Sequence, residues 1–122
     1  MQYAVLIYDK PGTYEALAPD DFQRVMAEYG PITEDPAVRG GAQLQPVHTA
    51  TTVRVQDGQT LLSDGPFADT KEIFGGYYVI DVPDLDTAVA FASRIPSARL
   101  GGSVEVRPIV DRGALETRGA QG

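Results

Sequence analysis

The chain contains no cysteine, no tryptophan and a single histidine, His48. Missing thiols exclude disulfide staples, thiolate catalysis and cysteine-ligated zinc, and one imidazole cannot build a multi-histidine metal centre within one chain. Positive charge is also scarce: ten Lys and Arg stand against seventeen Asp and Glu, a net charge of −7, and only Lys10 and Lys71 are lysines. That balance argues against nucleic-acid and membrane-surface roles, which need a broad electropositive face. No run approaches the roughly 20 apolar residues of a membrane-spanning helix. The apolar start at Tyr3–Tyr8 is too short for a signal peptide and lacks its basic flank. A cytoplasmic protein is expected. The pairs Gly40-Gly41, Gly75-Gly76 and Gly101-Gly102 have neither the spacing nor the basic residue of a phosphate-binding loop or dinucleotide fingerprint. There is no nucleophile elbow, and no cofactor is expected.

What is present suits one globular domain: 122 residues, 43% of them hydrophobic, enough for a single core. Tyr3–Tyr8 reads as a strand with apolar groups on both faces, hence a central one, entering a turn at Asp9-Lys10-Pro11-Gly12. Pro19 with Asp20 and Asp21 starts a helix, and Phe22, Val25, Met26 and Tyr29 recur at helical spacing. It should stop or kink at Gly30-Pro31, because proline offers no amide to the preceding turn. Residues 32–46, with two further prolines and Gly40-Gly41, read as an irregular or partly helical piece and then a loop. Asp57-Gly58 between Thr51–Gln56 and Thr60–Asp64 is a hairpin signal. A two-residue turn sets Val55 against Thr60, Val53 against Leu62 and Thr51 against Asp64; extended, it brings His48 beside Phe67. Gly76–Val82 is a further strand whose Tyr77 and Tyr78 point to opposite faces. Asp84 caps a second helix with Leu85, Ala88, Val89, Ala92 and Ile95 on one face, closed by Pro96. Ser103–Val110 is the last strand, and residues 111–122, rich in Gly and charge, read as a flexible C-terminal tail.

This order predicts an α+β, ferredoxin-like antiparallel sheet with two helices on one face and an added hairpin strand. Two helices cover one face of the sheet, yet Tyr3–Tyr8 and Tyr77–Val82 carry apolar groups on both. A second copy of the chain, sheet against sheet, is the economical cover, so a homodimer is expected.

Asp64-Gly65-Pro66-Phe67, followed by Lys71-Glu72 and Gly75–Asp81, resembles the DGPF branch of the YCII-related family. Leu44-Gln45-Pro46, Thr49–Arg54, Asp84–Ala88, Ile95-Pro96 and Glu105–Pro108 fit the same pattern, and the similarity runs over residues 1–110, taken as the domain. The resemblance implies the ferredoxin-like fold and a dimeric α+β barrel. It also implies acid–base or elimination chemistry by a His–Asp pair in some members of the wider superfamily, and an association of DGPF members with extracytoplasmic-function sigma factors. The pair itself does not carry over. Asp21 stands in the first helix where the histidine would be, and the second helix ends at Arg94-Ile95-Pro96.

Remaining candidates cluster at one end of the hairpin. His48 is the natural proton carrier near neutral pH, and Asp64, on a strand end beside it, could orient it or act as base; a solvated histidine and an inert Asp-Gly turn are the structural readings. Arg54, Phe67, Lys71 and Glu72 are the ligand-binding candidates, with Arg54 or Lys71 holding an anionic group; alternatively Lys71 makes an intrachain salt bridge fixing the loop before Gly75. Asp64, Asp69 and Glu72 lack the pattern of a cation loop, and no metal site is expected. Two functions follow: cofactor-free acid–base chemistry on a small polar or aromatic molecule, or a noncatalytic dimer binding a ligand or a protein.

Overall fold

The structure is a computed structural model that describes residues 1–66 and 70–112. Phe67, Asp69 and residues 113–122 of the tail lie outside the described residues. Six strands and two helices follow one another as β1 (Gln2–Asp9), α1 (Pro19–Thr33), β2 (Val38–Gln43), β3 (Thr51–Gln56), β4 (Gln59–Asp64), β5 (Ile73–Asp81), α2 (Leu85–Ser93) and β6 (Ser103–Pro108). Four strands form an antiparallel sheet in the order β2-β5-β1-β6, while β3 and β4 pair only with each other. The runs with apolar groups on both faces, β1 and β5, occupy the two central positions, as their composition requires.

Pairing decides the faces. Tyr3, Val5 and Ile7 sit opposite Ile80, Tyr78 and Gly76 on one side and Pro108, Val106 and Val104 on the other. This face packs under the helices with Ile32, Ala88, Phe91, Ala92 and Ile95 as the core. Ala4, Leu6, Tyr8, Tyr77 and Val79 alternate onto the opposite face, where they are half-buried and Tyr8 packs against Phe74. No described element covers that face.

Three expectations are corrected. Residues 38–43 form the edge strand β2 rather than a loop. Its Gly40-Gly41 hides the strand from propensity, yet Gly41 is required there, because a Cβ would lie 2.5 Å from the Tyr77 carbonyl oxygen. Helix α1 continues through Pro31 to Thr33, since a proline this close to the end forfeits only one backbone bond and Ile32 is anchored in the core. The buried stripe of α2 is Ala88, Phe91, Ala92 and Ile95, with Leu85 and Val89 half-exposed, because Phe91 is the bulkier group and takes the inward position.

Other expectations hold. Asp84 caps α2, accepting the Thr87 amide at 2.8 Å. The hairpin has the expected register, from Gln56 opposite Gln59 to Thr51 opposite Asp64. Its turn places Asp57 at φ 51° and Gly58 at φ 77°, the left-handed pair that matches strand twist. The pairing ends at Thr51 because Val47–Thr49 form a 3-10 turn instead of extending the ladder.

Candidate functional site

A cavity of about 580 Å³ lies between α1 and the helix-covered face of the sheet. That volume is in the range of small-molecule sites. Its walls follow from the elements already described. The stripe Phe22, Met26 and Tyr29, read from helical spacing, forms one wall; Ile7, Gly76 and Tyr78 form the floor; and Gly41 and Gln43 of β2 close the side. The sheet supplies depth because its residues here are small: Gly76 lies opposite Gln43, and a Cβ on it would lie 2.9 Å from the Ala42 carbonyl oxygen.

One end of the cavity is polar. Asp9 closes β1, and the β1–β5 pairing shifts there by one residue, Ile7 facing Gly76 and Tyr8 facing Phe74, so that Gly75 is the extra residue of a bulge. Bulges of this kind re-aim neighbouring side chains. The Asp9 carboxylate occupies the space that a Gly75 side chain would need, Oδ2 lying 2.6 Å from the Cβ position. On the other oxygen, Oδ1, Asp9 accepts the Ser97 hydroxyl at 2.5 Å. Ser97 is only 1% exposed, the sole buried polar residue among those described. It reaches Asp9 because β1 and β6 are antiparallel, with Tyr8 opposite Ser103, which brings the segment entering β6 to the end of β1. The Ser97 carbonyl accepts the Gly102 amide at 3.0 Å and fixes that segment.

Two tyrosines extend this contact. The Tyr14 hydroxyl lies 2.8 Å from Ser97 Oγ and 3.4 Å from the Tyr29 hydroxyl. An ionised carboxylate only accepts, so Ser97 donates to Asp9, Tyr14 donates to Ser97, and Tyr29 is left to donate to Tyr14. Burial holds the Tyr29 phenol protonated far above the usual range, so it remains a donor. At the other end of the cavity Thr33 and Tyr78 share a 2.8 Å hydrogen bond. Tyr78 also meets Phe91 edge-on at 5.7 Å, which fixes its ring against the floor. Among the described residues neither Lys, Arg nor His lines the cavity.

The hairpin candidates lie elsewhere. His48 is exposed on the 3-10 turn, Arg54 is exposed on β3, and Asp64 is exposed at the end of β4. Among the described residues no hydrogen bond or ion pair joins His48 to Asp64, or Lys71 to Glu72. Glu72 instead accepts the Ser103 hydroxyl at 2.7 Å. Around the Asp-Gly-Pro turn it is Gly65 that is held, its amide by the Ala50 carbonyl at 2.6 Å and its carbonyl by Thr52 at 2.8 Å. The positive φ of 91° explains the glycine.

Residues 1–112 match the sequence model of the YCII-related domain. The chain belongs to the YCII-related family. This YCII-related chain is 38% identical over 114 residues to "Uncharacterized protein R00369" of Rhizobium meliloti (strain 1021), spanning 89% of this chain and 92% of that one. Its structure is similar to 5-chloro-2-hydroxyhydroquinone dehydrochlorinase (TftG) from Burkholderia phenoliruptrix AC1100, solved in complex with 2,5-dihydroxybenzoquinone. The TM-score is 0.50 and the identity 16%, over 90% of this chain and 94% of that one, a likeness of fold. The mixed α+β fold with two helices and antiparallel sheets is thereby shared with TftG. No helix of the described residues is long and apolar enough to cross a membrane.

Proposed function

We propose that this YCII-related protein binds a small molecule in the cavity under α1 and performs cofactor-free acid–base chemistry on it, with Asp9 as the proton acceptor. The observation that carries the reading is the Asp9 carboxylate at the closed, polar end of an otherwise aromatic and apolar cavity, with one oxygen tied to buried Ser97. A carboxylate so held is oriented before the ligand arrives, which is what a general base requires. Tyr14 and Tyr29 supply hydroxyls that position ligand oxygens. TftG, a dehydrochlorinase of a hydroxylated aromatic ring, supports this class of chemistry on this fold.

The protein acts as a homodimer in this proposal. The uncovered sheet face bearing Leu6, Tyr8, Phe74, Tyr77 and Val79, and a hairpin whose Val53, Val55 and Leu62 are more than half exposed, supply apolar surface for a second copy.

The test is a ligand-observed NMR screen of small aromatic and polar compounds against the full chain and Met26→Trp, which fills the cavity. Compounds that bind the natural chain and are lost in the variant support the cavity; equal binding to both contradicts it. For a compound that is converted, Asp9→Asn should slow conversion by about 100-fold or more. His48→Ala and Asp64→Asn should leave it within about twofold; loss of conversion in those variants would return the chemistry to the hairpin set with Arg54, Phe67, Lys71 and Glu72. Binding without conversion would favour the noncatalytic alternative, an accessory beside a sigma factor.

A further inference from the structure

We infer that the ligand of the cavity is an aromatic ring carrying a hydroxyl group and no acid group. The inference rests on the reading of the cavity as a small-molecule site and names its ligand class. Charge decides the first half. Among the described residues Asp9 is the one carboxylate in the lining, and no Lys, Arg or His accompanies it. A carboxylate or phosphate taken into these walls would be desolvated without a counterion and repelled by Asp9. The chain's net charge of −7 adds to the repulsion rather than offsetting it.

Hydrogen-bond direction decides the second half. Asp9 Oδ1 is taken by Ser97, while Oδ2 accepts no hydrogen bond from a described residue, so the free valence of the site asks for a donor. The slackest link in the chain of hydroxyls is Tyr29 to Tyr14 at 3.4 Å, and it is the one a ligand oxygen can take over. Hydroxyl groups on the ligand meet both needs, donating to Asp9 and accepting from Tyr29, whereas an ether oxygen offers the carboxylate no proton. Phe22, Tyr29 and Tyr78 with Met26 make the remaining walls flat, apolar and polarisable, which suits a ring.

The test titrates the isotope-labelled full chain at pH 7 with hydroquinone, 1,4-dimethoxybenzene and benzoate, followed at the Gly75 and Gly76 amides. Hydroquinone should bind at least about tenfold more tightly than either of the others, and Asp9→Asn should erase most of that preference. If dimethoxybenzene or benzoate moves the same amides at equal or lower concentration, the inference is overturned while the cavity remains a small-molecule site. If none of the three moves them, the inference and the reading beneath it both fall.

Discussion

At the scale of single residues, the pieces of the site were legible and their meeting was not. Asp9 read as the first residue of a turn and Tyr29 as one of a helical stripe, while Ser97, just past Pro96, carried no signal of its own. Nothing in local spacing joins positions 9, 14, 29 and 97; the antiparallel pairing of β1 with β6 does. His48 stood out as the chain's single histidine, yet it lies exposed on a polar turn with nothing to orient it among the described residues. Ser97→Ala should cost about 1–3 kcal/mol in urea denaturation, since it leaves the Tyr14 hydroxyl and a carboxylate oxygen without their partner. An unchanged midpoint would contradict the network. Tyr29 makes an alkaline prediction. Its folded pKa lies above the unfolded value, so its contribution is whole below about pH 10 and falls away above that as the unfolded chain ionises. Thermal melts of Tyr29→Phe should be less sensitive to pH over that range; equal sensitivity would show that burial of the phenol plays no part.

At the scale of elements, the strong signals were those in which one residue type does one job. Asp57-Gly58 gave the hairpin and its register, Asp84 the start of α2, and Pro19 the start of α1. Edge strand β2 was hidden because its defining residues are glycines, kept bare so that the strand can lie against Tyr77 and Tyr78. Gly41→Ala should therefore destabilise by about 1–3 kcal/mol and speed amide exchange along β2. Exchange as slow as in the natural chain would show that the close approach is not needed. Ion pairs tie the elements together at the surface: Arg94 donates to Asp35 at 2.7 Å, Arg99 bonds Glu28, and the terminal ammonium bonds Asp81 at 3.0 Å. Asp35 is held below the usual carboxylate range chiefly by the Ala37 amide and then by Arg94, and Asp81 by the hydrogen bond from the terminal ammonium. Both bind their protons more weakly folded than unfolded, so their support is whole above about pH 4 and is lost as pH falls through the depressed native values. Asp35→Asn should flatten the acid limb of a stability-against-pH curve; a limb of the same steepness would remove Asp35 as a cause.

At the scale of the whole molecule, the fold was legible because apolar groups on both faces of two runs force those runs to the centre of a sheet, and two helices suffice for one face. In the proposed homodimer a second copy covers the opposite face of Leu6, Tyr8, Tyr77 and Val79. Sedimentation should find a dimer at micromolar concentration, and Val79→Glu should shift it to monomer; a monomeric natural chain would remove that expectation. The most direct measurement of the central claim, that the chemistry sits under α1 and ends on Asp9, is amide-shift mapping with any small compound the full chain binds. The cavity reading predicts the largest shifts at Gly41, Gly75, Gly76 and Tyr78, and their disappearance in Met26→Trp. Shifts confined to residues 48–64 of the hairpin region would contradict it.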